Sequence, residues 1–475
     1  MFLAAAPLNG FKISYDGRGI MQKLTINDIL SATGGKLVCG STDTEFSEIT
    51  TDSRKAAEGV LFIPLAGEKF DGHEFINAAF DMGASAVLTQ KNIEPLLGKT
   101  IIRVDDTFKA LADIARYYKA KYNVPTVAVT GSVGKTTTKD MIHAVLSTCY
   151  NTLKTAGNFN NEIGLPLTVF RLEKEHQMAA LEMGMSHFGE IERLAAIARP
   201  DVAVITNIGM SHIENLGSRE GIFKAKMEVT KLFDAHNVLI VNGDDEFLSA
   251  TKGKGAYNVI YYGITNPEND VYAKDIVNKG VDGTEFTAVT DEGEYRVEVR
   301  VAGEHNVYNA LAAICVGRQF NIPMEKILDG IKNFELTAMR MSVEETDGMT
   351  IINDCYNASP DSIRAALKVL GSIKGKRRVA ILGDVLEMGG FAPKAHYELG
   401  QNVFENAQAL ITAGENSEFI AKGAAECGMK EIYSFKKTLE ACNFAKKFVQ
   451  PDDAVLIKAS RGMHFEEIYE ALTEK

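Results

Sequence analysis

Short apolar runs recur along this chain, and most are followed by a stretch with helical spacing. GVLFIPLAG reads as a buried strand, HEFINAAFDMGA as a helix and SAVLTQ as the next strand. IIRVDDTFKALADIARYYKAKY is a strand and then a helix, with Leu111, Ile114, Ala115 and Tyr118 on one face. PTVAVTGSVGKTTTKDMIHAVL is a β-branched strand, a glycine turn and a helix. The apolar strands MAALEMG, DVAVITNIG and NVLIVNGDD come next, separated by helical stretches. Residues 270–302 alternate with period two instead (EFTAVTDEGEYRVEVRV), which predicts a small antiparallel insertion. The helix NVYNALAAICVGRQF closes that segment. TIINDCY, RRVAILGD, ALITAG, EIYSF and AVLIKAS then repeat the strand–helix alternation.

Such alternation implies parallel sheets joined by right-handed crossovers, so the fold class is α/β. Three textures predict three domains: a small N-terminal α/β domain over 1–107, a central parallel-sheet domain over 108–335, and a Rossmann-like, doubly wound domain over 336–475. A regular pattern starts only at Met21. Residues 1–20 lack a basic leading segment and are broken by Pro7 and Asn9, so they read as an extension and not as a signal peptide.

Composition narrows the field. The 475 residues include 51 Lys plus Arg against 63 Asp plus Glu, a net charge of −12, and 45% are apolar. That is globular composition, and the acidic balance argues against a nucleic-acid or membrane coat. No run approaches the roughly 18 apolar residues of a membrane span. Cys39, Cys149, Cys315, Cys355, Cys427 and Cys442 form no C-x-x-C pair, which points to reduced thiols in a cytoplasmic compartment.

The strongest local signal is Gly131-Ser132-Val133-Gly134-Lys135-Thr136-Thr137. Glycines let backbone N–H groups close around phosphate oxygens, and the following helix aims its positive end at them. Lys135 supplies a point charge, and the Thr136 hydroxyl suits Mg²⁺. The longer form of this motif needs glycine at 129, where Val129 stands.

Other residues carry two readings each. Glu182 and His212 end or follow strands, where a parallel sheet places its site, and either is a metal ligand or a solvated strand-end group. Lys226 lies in a helix as a surface lysine or a site residue. Asn306 and Asn309 begin a helix, as caps or as ligand contacts. Arg340 stands at a domain junction, free to reach a phosphate or to remain a rim residue. Asp354, Asn357 and Asp361 crowd a strand end before a Pro-initiated helix, a pattern of binding loops. The amides of Asn158, Asn160 and Asn161 either stabilise turns or bind a polar substrate.

Together these blocks resemble the Mur ligase family. TGSVGKTTTKD resembles that family's short phosphate loop, and LEMGMSHFGEI, VITNIGMSHIE, AGEHNVYNALAA and NDCYNASPDS follow in its order and spacing. GNFNNEIGLPLT, YNASP and LGDVLEMG are similar to the member that adds a dipeptide, and the D-N-P-R string of a relative that adds an amino acid does not occur. The resemblance implies an ATP-dependent ligase that joins D-alanyl-D-alanine to UDP-N-acetylmuramoyl-tripeptide through an acyl phosphate, in peptidoglycan precursor synthesis. It implies that Lys135 and Thr136 contact the triphosphate and Mg²⁺, and that Glu182, His212 and Lys226 serve a second Mg²⁺, with Lys226 a carbamate. Asn309 and Asn357 would contact adenine, Arg340 and Asp354 the phosphate and ribose side, and Asp52, Ser53 and Arg54 the UDP moiety. A cytoplasmic monomer without nucleic-acid or integral-membrane contact is expected. Two rivals are a folylpolyglutamate-synthetase-like ligase and an ATPase switch; no N-K-x-D guanine-reading string supports a GTPase version.

Overall fold

The computed structural model describes residues 21–67, 70–337 and 339–474. The extension expected over 1–20 lies outside them. The chain forms two compact units. The first comprises the described residues within Met1–Thr126, Tyr150–Met183 and Glu192–Pro200. Its five-stranded sheet runs in the order Lys36–Cys39, Ile101–Arg103, Ala86–Thr89, Val60–Phe62, Glu48–Thr50. The first pair is antiparallel and the rest are parallel. Phe62, Ile76, Ala79, Phe80, Val87 and Ile101 form one core cluster of this unit. The helix expected over 73–84 splits into a 3₁₀ turn at Gly72–Phe75 and an α-helix at Ile76–Asp81.

The helix Thr107–Lys121 buries Leu111, Ile114, Ala115 and Tyr118, as its spacing predicts. Asp106 starts it by accepting from the N–H groups of Phe108 (2.7 Å) and Lys109 (3.0 Å), two donors that a helix N-terminus otherwise leaves unpaired. Tyr118 is fully buried and donates its hydroxyl to the Leu172 carbonyl at 2.6 Å. This unit also carries the parallel strands Thr152–Lys154 and Met178–Glu182.

The second unit comprises the described residues within Val127–Cys149, Gly184–Ile191 and Asp201–Lys475. Its first sheet runs in the order Gly293–Val299, Thr284–Thr290, Val271–Asn278, Asn258–Gly263, Val238–Asn242, Val202–Ile205, Thr126–Thr130. The last three strands are fully buried and rich in Val and Ile, as sheets covered on both faces require. The antiparallel stretch forms as the alternation predicts, and it continues the sheet. Val271–Asn278 pairs in parallel with Asn258–Gly263 through Tyr262 and Val271, so the meander prolongs the sheet. Period-two patterning shows that a strand has one wet face, but it does not show which neighbour the strand joins.

The second sheet of this unit runs in the order Ser342–Thr346, Met349–Asn353, Asp453–Lys458, Arg377–Gly383, Ala409–Ala413, Glu431–Phe435. All neighbours are parallel except the first pair. The edge strand SVEET has no apolar pattern; its charges suit an exposed edge, and hydrophobicity therefore passes over it.

Asp106→Ala removes the cap of Thr107–Lys121 and should cost about 1 kcal/mol locally. Hydrogen exchange of Phe108 and Lys109 should speed up by roughly fivefold, the rate equivalent of that energy, with the second unit unchanged.

Candidate functional site

Two strand ends of the second unit meet because Thr130 pairs with Ile205 in register. The chain leaving Thr130 forms the glycine loop, and the chain leaving Ile205 braces it. Gly131 holds φ +146°, and a Cβ there would lie 1.8 Å from Thr206 Oγ1. Thr206 Oγ1 donates to the Val133 carbonyl at 2.6 Å, and Asn207 Nδ2 donates to the same oxygen at 3.0 Å. Asn207 Oδ1 accepts from Val133 N at 3.0 Å. Gly209 N donates to Ser132 Oγ at 2.9 Å. Gly134, at φ +86°, begins the helix Lys135–Leu146 with no side-chain cap, which leaves that N-terminus open to an anion.

Lys135 donates its ammonium to the carbonyls of Gly131 (2.9 Å) and Ser132 (3.3 Å), so it lies folded over the loop it would serve. Thr136 is buried and its Oγ1 has no hydrogen-bond partner. Lys226 is buried at 2% exposure. Burial, and then the like charge of Lys135, push its ammonium well below the ordinary lysine range. A lysine there is no surface residue.

Asn306 and Asn309 are not caps. Asn306 Nδ2 donates to the Ala302 carbonyl (2.8 Å) and its Oδ1 accepts from Asn309 Nδ2 (2.9 Å). Asn309 Oδ1 in turn accepts from Thr138 Oγ1 at 2.8 Å and lies 3.2 Å from where a Gly134 Cβ would stand. The helix His305–Gln319 is thereby tied to the loop helix.

His212 precedes the short helix Ile213–Leu216 at φ +62°, and its Nδ1 is 2.5 Å from Oε2 of Glu387. Asp361 Oδ1 accepts from Arg364 at 2.6 Å, while its Oδ2 is buried and unpartnered. A Cβ on Gly209 would meet that oxygen at 2.3 Å and Ser132 Cβ at 3.2 Å, so glycine makes room for the carboxylate beside the loop.

Asp354 is spent inside the fold. Oδ2 takes the Lys458 ammonium at 2.5 Å and Oδ1 accepts from Met341 N at 3.1 Å. Lys458 also donates to the Asn357 carbonyl at 2.9 Å. The exposed Asn357 turns its own Oδ1 onto Ala358 N at 2.9 Å. Arg340 stacks on Tyr356, with its guanidinium carbon 4.2 Å from the ring centroid and its Nε buried and unpartnered.

In the first unit, Glu182 is buried at 1% exposure. Its Oε1 accepts from Asn160 Nδ2 at 2.7 Å, and its Oε2 has no partner. Asn161 Oδ1 accepts from Ile163 N (3.2 Å) and Gly164 N (2.8 Å) in the turn that leads into the helix Gly164–Val169, which is the turn-stabilising reading. Asn158 is exposed. Asp52 holds Arg54 as a two-pronged pair (2.9 and 2.8 Å) with Ser53 between them. Sequence reasoning did not single out Thr206, Asn207, Glu387 or Lys458. Each lies within a quoted block, but nothing in its spacing marks it.

Three family models match the chain. The Mur ligase family catalytic-domain model matches residues 45–119, the Mur ligase middle-domain model 129–317, and the Mur ligase glutamate-ligase-domain model 339–461. A UDP-N-acetylmuramoyl-tripeptide–D-alanyl-D-alanine ligase of Bacillus subtilis is 41% identical over 462 residues, covering 96% of this chain and 99% of that protein. A crystal structure of MurF from Acinetobacter baumannii superposes with a TM-score of 0.89 at 32% identity, covering 96% of this chain and all of that one. The MurF ligase of Thermotoga maritima, solved in complex with ADP, gives 0.80 at 28% identity over 90% of this chain and 97% of that one.

Gly131→Ala would drive its Cβ into Thr206 at a backbone angle that side chains avoid. Calorimetric titration with ADP should show affinity at least 100-fold weaker, while far-ultraviolet circular dichroism stays unchanged.

Proposed function

Because the chain belongs to the Mur ligase family, we infer that it is the ligase that adds D-alanyl-D-alanine to UDP-N-acetylmuramoyl-tripeptide at the expense of ATP. The observation that carries this reading is end-to-end similarity to relatives of that activity, with the phosphate loop complete. The product is a UDP-muramoyl-pentapeptide, a peptidoglycan precursor.

A carboxylate is a poor electrophile, because its charge repels the amine and oxide is a poor leaving group. The γ-phosphoryl group of ATP moves to the terminal carboxylate oxygen of the tripeptide, and ADP departs. The dipeptide amine then attacks the acyl carbon, loses a proton, and phosphate leaves as the C–O bond breaks. The loop N–H groups hold the triphosphate, and Lys135 swings from the loop carbonyls to the outer phosphates as charge gathers on the transferred group. Asn309 keeps the loop helix in register beside the nucleotide, and Arg340 offers its unpartnered Nε to the phosphate side. Asn357, exposed at the strand end, is the residue proposed to contact adenine. Asp354 acts by fixing Lys458 and the Met341 backbone, so its effect on the ribose side is indirect. In the first unit, the Asp52–Ser53–Arg54 turn presents a cation to the UDP pyrophosphate. The amide loop with Asn158, Asn160 and Asn161 shapes the tripeptide side.

The donor chemistry fits magnesium. Thr136 Oγ1 in the second unit and, separately, Glu182 Oε2 in the first are buried oxygens without hydrogen-bond partners, and each by itself suits a cation. Thr136, His212 and Lys226 are the second unit's proposed ligands, and Glu182 is the first unit's. Magnesium, when bound, neutralises phosphate charge. Lys226 as an ammonium would oppose such an ion. Its environment favours the neutral amine, which adds to CO₂ with loss of a proton to give an anionic carbamate. No helix among the described residues is long and apolar enough to cross a membrane. We place the enzyme in the cytoplasm as a monomer acting on small-molecule substrates.

Phosphate release should require ATP, the UDP-tripeptide and D-alanyl-D-alanine together, with the dipeptide mass gained by the nucleotide product. Release with ATP alone would favour a switch ATPase. Lys135→Ala should lower turnover at least 10³-fold with normal folding. Under ¹³C-bicarbonate, a carbamate carbon resonance should appear in the wild type and vanish in Lys226→Met; its absence from the wild type would remove the carbamate.

A further inference from the structure

Glu387 lies in LGDVLEMG on the C-terminal sheet's side of the second unit, whereas His212 follows the central strand Val202–Ile205. The two meet from both directions. The Glu387 carbonyl accepts from Glu214 N at 3.3 Å, and Glu387 Oε2 lies 2.5 Å from His212 Nδ1. Both residues adopt left-handed backbone, φ +62° for His212 and φ +61° for Glu387. Non-glycine residues hold that conformation only where their surroundings impose it. The next turn closes the same seam, since a Cβ on Gly389 would lie 3.1 Å from Glu214 Cγ. His212 Nδ1 is buried, and the Glu387 carboxylate faces it without an ideally aligned hydrogen bond.

We propose that Glu387 is a positioning residue: it fixes the proton of His212 on Nδ1 and so presents the bare Nε2 as a metal ligand. A ligating imidazole needs one nitrogen free of its proton, and a carboxylate on the other nitrogen selects that tautomer and sets the ring's orientation. Because Glu387 comes from the C-terminal sheet's connection, the ligand is fully prepared only when that part of the chain is seated on the central strands. Preparing the metal ligand and seating that connection on the central strands are then one event. The inference rests on reading His212 as a metal ligand, whereas the tautomer is a property of the chain alone.

The test uses the full-length protein with ¹⁵N-labelled histidine, the His212 signals being assigned by their loss in His212→Gln. Long-range ¹⁵N–¹H spectra of the wild type should show His212 protonated on Nδ1, and Glu387→Ala should move it to the Nε2-protonated form. Glu387→Gln, which keeps the side chain's size, should raise the Mn²⁺ concentration for half-saturation, read by paramagnetic relaxation, by about 10-fold or more. Unchanged tautomer in Glu387→Ala, or unchanged Mn²⁺ affinity in Glu387→Gln, would overturn the proposal. If the tautomer shifts while the wild type shows no dipeptide-dependent phosphate release, the ligase reading fails and the positioning contact stands.

Discussion

The whole site hangs on the close approach of two parallel strand ends. Thr130 and Ile205 are register partners, so the phosphate loop and the 206–211 segment leave the sheet side by side. Asn207 then accepts from the Val133 N–H, and Thr206 Oγ1 and Asn207 Nδ2 both donate to the Val133 carbonyl. A Cβ at 131 would destroy this packing, which explains why glycine is needed there independently of any phosphate. The loop is held open in the shape that receives an anion, so little ordering remains to be done on binding.

Charge in the second unit follows from that shape. Lys135 rests on loop carbonyls, while Lys226 is buried and held toward its neutral form. Charging Lys226 would set a second cation against Lys135, which is part of why its neutral form is favoured. The unpartnered Thr136 hydroxyl suits a cation, and the uncapped helix N-terminus suits an anion. Asp361 adds a buried carboxylate oxygen against Gly209, so the start of the helix Pro360–Ser372 packs beside the loop. The Lys458–Asp354 pair is different in kind. Its hydrogen bonds are satisfied within the fold, and it joins the strand end at Lys458 to the turn that carries Asn357.

Much of this was legible from the residues alone. Apolar runs of Val and Ile marked most strands of both parallel sheets, because burial on two faces demands them. The helical spacing of Leu111, Ile114, Ala115 and Tyr118 marked their common buried face. Gly131 to Thr136 announced a glycine turn leading into a helix, since that shape depends on local backbone geometry. The polar edge strand Ser342–Thr346 escaped notice because its pairing leaves no apolar pattern.

Local chemistry therefore came from the sequence: the loop, the strand–helix alternation and the residue types able to carry charge. What each candidate touches came only from tertiary structure. Asn309 serves the loop helix across 171 positions of chain, and Asp354 meets a lysine 104 positions away. Lys226 changes from a surface cation to a buried amine through burial beside Lys135. Spacing along a chain reports which face a residue shares with its neighbours a turn away. Burial and partners depend on contacts closed by the folded sheets, which no local pattern encodes.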